Sequence, residues 1–188
     1  MPAPHANRVR IIGGAFRGRV VRFPAVAGLR PTPDRVRETL FNWLGQDLTG
    51  WHCLDAFAGS GALGLEAASR GAAQVQLVEQ DAALVAQLKA LQSKLQAQGV
   101  TVSRGDGVAV LRQQPPESLD LVFLDPPFEA KLYEPALQAA RSAVKPQGYI
   151  YLEASSTWAE SQLQPLGLQL YRHLKAGAVH AHLLQKEA

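Results

Sequence analysis

From Trp51 to about residue 152 the chain repeats one pattern: an apolar run, a loop that opens on an acid, then a helical stretch. No other feature of the sequence constrains the fold as strongly, because alternating strand and helix units close into a parallel sheet with helices on both faces. The spacing predicts strands over 53–55, 75–78, 100–103, 119–124 and 149–152, with helices near 61–70, 81–98, 107–113 and 132–144. In the stretch 81–98, Leu84, Leu88, Leu91 and Leu95 recur at helical spacing and Gly99 reads as the stop. Beyond it the pattern changes. Strands over 168–174 and 178–184, turning at Gly177, predict an antiparallel hairpin on the sheet edge. At 188 residues and 47% hydrophobic, the chain has enough apolar surface for one such domain. Cys53, its single cysteine, lies in an apolar run and reads as a buried thiol of a reducing cytoplasm.

The N-terminal part is of another kind. Residues 1–37 carry eight arginines (8, 10, 17, 19, 22, 30, 35 and 37) against one acid, Asp34, a net of +7, whereas the rest of the chain sums to −4. Arginine rather than lysine favours bidentate phosphate contacts and stacking on bases, so a polyanion is the expected partner; a solvated tail is the plainer alternative. Two short strands about Gly13-Gly14 predict a hairpin. Thr32 is placed to cap a helix with Pro33 in its first turn, and Val36, Leu40, Trp43 and Leu44 share a face of that helix. The division is thus an arm over 1–33 and a domain over 34–188. No apolar stretch reads as a signal peptide or a membrane span.

In open sheets of this kind ligands bind past the carboxyl ends of the strands. Asp55-Ala-Phe-Ala-Gly-Ser-Gly-Ala-Leu-Gly64 places Gly59, Gly61 and Gly64 between a strand and a helix, with Glu79 20 residues past Gly59. That fingerprint also describes a nicotinamide dinucleotide site, and three glycines can simply serve tight turns. Asp55 separates the possibilities. A carboxylate about 4 Å from a pyrophosphate is disfavoured by roughly 4 kcal/mol at an effective dielectric of 20. The same carboxylate attracts a ligand bearing an ammonium and a sulfonium, such as S-adenosylmethionine. Glu79 can accept from ribose hydroxyls and Asp106 from an adenine amine; each could equally be a solvated acid or a helix cap.

Asp125-Pro-Pro-Phe128 follows the apolar Leu121-Val-Phe-Leu124. The amine of a nucleobase is a poor nucleophile because its lone pair is delocalised. Hydrogen bonds from both amine hydrogens, to the Asp125 carboxylate and the Pro126 carbonyl, would aim that nitrogen at a methyl donor. Neither proline has an N–H to compete, and Phe128 offers a face for the base. Asp-Pro-Pro is also ordinary turn chemistry. No metal is needed for a direct methyl transfer.

With these segments in view, the chain resembles the bacterial small-subunit rRNA guanine-N2 methyltransferases across nearly its whole length. The likeness rests on Arg10-Ile-Ile-Gly-Gly with Arg17-Gly-Arg, on Leu29-Arg-Pro-Thr-Pro-Asp-Arg-Val-Arg-Glu-Thr-Leu-Phe-Asn-Trp-Leu44, and on the two motifs above with their continuation to Glu66. The resemblance implies a Rossmann-like class I methyltransferase fold, with a seven-stranded, mostly parallel sheet and an N-terminal hairpin extension. It also implies S-adenosylmethionine as cofactor, with Asp55, Phe57, Gly59, Gly61, Glu79, Asp106 and Thr32 around it. Asp125, Pro126 and Phe128 would hold the base; Arg8, Arg10, Arg17, Arg19, Arg22 and Arg30 would hold the RNA. Arg30 and Thr32 are expected to close over the cofactor. The partner would be 16S rRNA in the small subunit or its precursor, met by a cytoplasmic monomer.

Two other readings stand beside this one: an adenine-N6 methyltransferase acting on RNA or DNA, and a catalytically silent RNA-binding assembly factor. His180 and His182 alternate along one predicted strand, but without a third ligand at metal spacing they read as surface histidines. Trp43, Trp51 and Trp158 read as packing residues.

Overall fold

An antiparallel pair, β1 (Arg8–Arg10) and β2 (Val20–Arg22), precedes α1 (Asp34–Leu44). The computed structural model describes residues 7–26, 28–127 and 130–188. After α1 the repeating pattern becomes β3 (His52–Asp55), α2 (Ala62–Ser69), β4 (Gln74–Glu79), α3 (Ala82–Leu95), β5 (Val100–Arg104), α4 (Gly107–Arg112), β6 (Leu119–Leu124), α5 (Ala130–Ala143) and β7 (Val144–Ala154). A short α6 (Glu160–Leu163) leads to the hairpin of β8 (Leu168–Ala176) and β9 (Val179–Lys186). The seven strands run β5-β4-β3-β6-β7-β9-β8; the first five are parallel, and β9 alone runs antiparallel, between β7 and β8.

Leu54, Val122 and Ile150 face one core with α4 and α5, while Cys53, Phe123 and Tyr151 face the other with α1, α2 and α3. Strands buried on both faces explain why these runs are nearly continuous in apolar residues rather than alternating. Cys53 is buried, as expected, and burial raises its thiol pKa. Trp51 stacks on Tyr149, Trp158 meets Tyr133 edge-on, and Trp43 packs against the core that holds Cys53 and Phe123.

Several local expectations are corrected. Helix α3 ends at Leu95, where Gln96 takes the left-handed conformation (φ 54°). Gly99 instead permits a close crossing, since a Cβ there would sit 2.4 Å from the Ala73 carbonyl oxygen. Thr32 does not cap α1; Pro33 occupies that position without a side-chain bond, and the Thr32 hydroxyl is used elsewhere. His182 is not a surface residue. It is buried in β9, where Nε2 accepts the Trp158 N–H at 3.0 Å and desolvation lowers its pKa to about 4.

The basic segment packs along α2. Val9 and Phe23 join Ala62 and Leu84 in a small cluster, and Ile11 and Val21 enter the main core. Glu66, an acid in an otherwise uncharged helix, is fully buried. Its carboxylate accepts from the backbone N–H groups of Ile12 (2.9 Å) and Gly13 (3.0 Å), from Arg37 (3.2 Å) and from Arg70 (3.0 Å). Arg37 also donates to the carbonyls of Thr32 and Arg10 and pairs with Asp34. One of the eight arginines is therefore a structural cation with no exposed surface. Gly14, at φ +80°, lies so close to α2 that a Cβ would meet the Ser69 carbonyl oxygen at 1.9 Å.

Candidate active site

Five neighbouring strands each deliver an acid at or just past the carboxyl end. Across the sheet these are Asp106 after β5, Glu79 on β4, Asp55 on β3, Asp125 after β6 and Glu153 on β7. The row spans the point where the strand order reverses, between β3 and β6, which is where such sheets open a crevice.

Glu79 organises the glycine loop: it accepts the Gly59 N–H at 2.9 Å and the Asp81 N–H at 2.8 Å. Gly61 lies at φ +85°, where a Cβ would come within 2.6 Å of Leu88 Cδ2. Gly64 lets α2 press on the sheet, its Cβ position lying 2.2 Å from Leu77 Cδ2. Gly59, at φ +55°, packs against Leu29, so all three glycines of the fingerprint have a packing or turn duty besides any ligand. Phe57 is half-buried in the same loop. Asp106 is exposed and caps α4 through the N–H groups of Val108 (2.9 Å) and Ala109 (3.3 Å), so the cap weighed for it from sequence is made.

Asp55 is the anomaly. Its side chain is buried, the backbone N–H groups of Phe57 and Gly64 reach its carboxyl, and yet Oδ1 has no partner among the described residues. Burial, reinforced by the charges of Glu79 and Glu153, raises its pKa to about 7. A buried acceptor without a donor costs on the order of 1–3 kcal/mol, so the fold maintains an unfilled demand for a hydrogen-bond donor here, and the neighbouring charges of Glu79 and Glu153 favour a cationic one. The donor set therefore fits an ammonium-bearing ligand such as S-adenosylmethionine and does not fit a pyrophosphate.

Beside it, Asp125 keeps part of its surface accessible while Pro126 is buried. The Asp125 carboxyl is held well above the ordinary carboxylate range, by burial first and then by the charge of Glu153 and a hydrogen bond to it. Phe128 lies outside the described residues. Glu153 was not anticipated. Its Oε1 accepts from the Thr32 and Tyr151 hydroxyls, each at 2.6 Å, in a buried setting. The segment before α1 thus lies along this edge, with Leu29 against Gly59 and Thr32 against Glu153. Of the predicted RNA contacts, Arg10, Arg17, Arg19, Arg22 and Arg30 are exposed and Arg8 is half-buried. A groove of about 560 Å³ lined by Gly13, Gly14, Arg17, Asn42 and Arg70 lies at the foot of α2, away from the acids. Its chemistry is mixed, so the acid row identifies the site better than volume does.

Residues 9–185 match the family model described as conserved hypothetical protein 95. The chain belongs to this family. It is 41% identical to ribosomal RNA small subunit methyltransferase D of Escherichia coli, covering 97% of this chain and 92% of that protein. The protein of the same name from Haemophilus influenzae is also 41% identical, over 97% and 96% of the two chains. A solved Escherichia coli structure superposes with a TM-score of 0.82 at 42% identity, covering 96% of this chain and 99% of that one. The fold is that of the class I methyltransferases. No helix among the described residues is long and apolar enough to cross a membrane.

Proposed function

We propose that this protein transfers a methyl group from S-adenosylmethionine to the N2 amine of one guanine in the 16S rRNA of the small ribosomal subunit, acting as a monomer in the cytoplasm. The observation that carries the reading is the unpartnered Asp55 Oδ1 in a row of strand-end acids, which calls for a cation and not a phosphate. The names of the related ribosomal RNA methyltransferases support rRNA as substrate. The guanine N2 atom comes from the resemblance of the Asp125-Pro-Pro-Phe128 and 29–44 segments.

When bound, the cofactor supplies an electrophilic methyl group on a sulfonium. Asp55 takes the ammonium, Glu79 the ribose hydroxyls, and Asp106, through the acceptor capacity left after capping α4, the adenine amine. The Asp125 carboxyl and the Pro126 carbonyl accept the two hydrogens of the target amine, and Phe128 stacks on the base. Orientation and desolvation then account for most of the rate. The exposed arginines of the N-terminal segment hold phosphates and position the RNA without reading its sequence.

The test incubates the protein and methyl-labelled donor with unmodified small subunits, naked 16S rRNA and duplex DNA, and identifies the labelled nucleoside. N2-methylguanosine at one site in small-subunit RNA is expected. N6-methyladenosine, or no incorporation into any of the three, would overturn the reading.

A further inference from the structure

Glu153 has no place in the motifs that define the site, yet it accepts two hydrogen bonds, as Glu79 does. It is the last residue but one of β7, the strand next to the one that delivers Asp125. The two hydroxyls on its Oε1 come from opposite ends of the sequence, Thr32 from the segment over the glycine loop and Tyr151 from its own strand. Both donors are buried, as is Glu153 itself. Its remaining neighbour is the Asp125 carboxyl: Leu124 and Leu152 pair in register just before the two acids, and the Glu153 charge raises the Asp125 pKa. The other titratable groups facing the pair are Asp55 on β3, which raises the Asp125 pKa, and Tyr151. Glu79 on β4 faces Asp55. None of them is a cation.

We propose that Glu153 is a positioning residue for methyl transfer: fixed by Thr32 and Tyr151, it orients Asp125 to receive the proton that the target amine gives up. The inference rests on the methyltransferase reading above. The amine uses its lone pair for the new N–C bond while the S–C bond breaks with its pair on sulfur. The resulting cationic amine gives one N–H proton to the Asp125 carboxylate, and the N–H bonding pair restores the neutral amine. Asp125, which ionises when a cationic donor binds, thereby recovers its proton as the positive charge on sulfur disappears. Net charge in the groove stays constant through the reaction, which a buried site of low polarity requires.

Calorimetric titrations of the full-length protein with S-adenosylmethionine and with S-adenosylhomocysteine, each in two buffers of different ionisation enthalpy, count the protons released. Both ligands carry the ammonium, so release from Asp55 is common to them; the difference belongs to the sulfonium charge. The wild-type protein should release more protons with the methyl donor, by up to about one at neutral pH. Glu153→Gln should erase that difference while changing donor affinity less than about threefold, and should move the acid limb of kcat down by about one pH unit, because the like charge is gone. Tyr151→Phe, which strips one donor from Glu153 and leaves the carboxyl, should move the same limb up. Opposite shifts are not produced by mere loss of packing. A Glu153→Gln protein with the wild-type proton difference, or with an unmoved acid limb, overturns the inference alone; a wild-type protein that binds no donor overturns the methyltransferase reading with it.

Discussion

Replacing Glu66 by glutamine tests how the basic segment is held. The side chain is fully buried and collects four donors: two arginines and two backbone N–H groups. Glutamine keeps the volume but offers one acceptor oxygen and adds two N–H donors that face Arg37 and Arg70. Breaking one side of a buried ion pair typically costs about 3–5 kcal/mol, because the surviving charge stays desolvated. Arg37 keeps two carbonyls and Asp34, so the effect should not exceed that range. Against a usual total of about 5–15 kcal/mol this is a large fraction, and in a chain of this size it lowers Tm by roughly 6–20 °C. Urea unfolding followed by tryptophan fluorescence should show the midpoint falling with the slope unchanged. A loss under about 1 kcal/mol would mean that the Glu66 cluster does not anchor the segment, and the account of the N-terminal fold would fail.

Other consequences can be measured on the same preparations. Asp125→Ala should abolish turnover while leaving donor binding within about threefold; equal loss of both in a calorimetric and activity comparison would make its role structural. Asp55 titrates from 3.8 in an unfolded chain to about 7 in the fold. Between those values the native state binds the extra proton, so stability falls as pH rises from about 4 to about 7 and levels beyond it. Asp55→Asn should flatten that limb in unfolding measurements, and the affinity of the wild type for S-adenosylhomocysteine should rise by up to about tenfold for each unit of rising pH below 7. Arg17→Ala should weaken RNA binding and reduce the slope of log affinity against log salt by about one, whereas Arg37→Met should lower Tm. A salt slope that changes with Arg37 and not with Arg17 would reverse their roles.

The architecture was legible because its determinants are local. Runs such as Leu121-Val-Phe-Leu124, with an acid following, declare a buried parallel strand and the ligand edge at once. What escaped depends on partners far away in the chain. Glu153 closes a long strand without any motif, and its partner Thr32 lies 121 residues earlier. Thr32 looked like a helix cap because its position before Pro33 and Asp34 suits one; the buried Glu153 carboxylate outcompeted the α1 N-terminus for the hydroxyl. Arg37 counted as one more charge of a basic segment, although its place between Val36 and Leu40 on an amphipathic helix hinted at burial. The lone acid of α2, Glu66, was the available signal that a buried cation had to stand nearby. His182 was misplaced for a related reason: a strand covered on both faces has no solvent side.

The whole account turns on what the unpartnered oxygen of Asp55 is for, and a crystal structure of the protein with S-adenosylmethionine addresses that directly. The donor's ammonium should lie about 3 Å from Asp55 Oδ1, beside the Gly59–Gly61 turn. Donor density elsewhere, with Asp55 Oδ1 still lacking a partner, would contradict it.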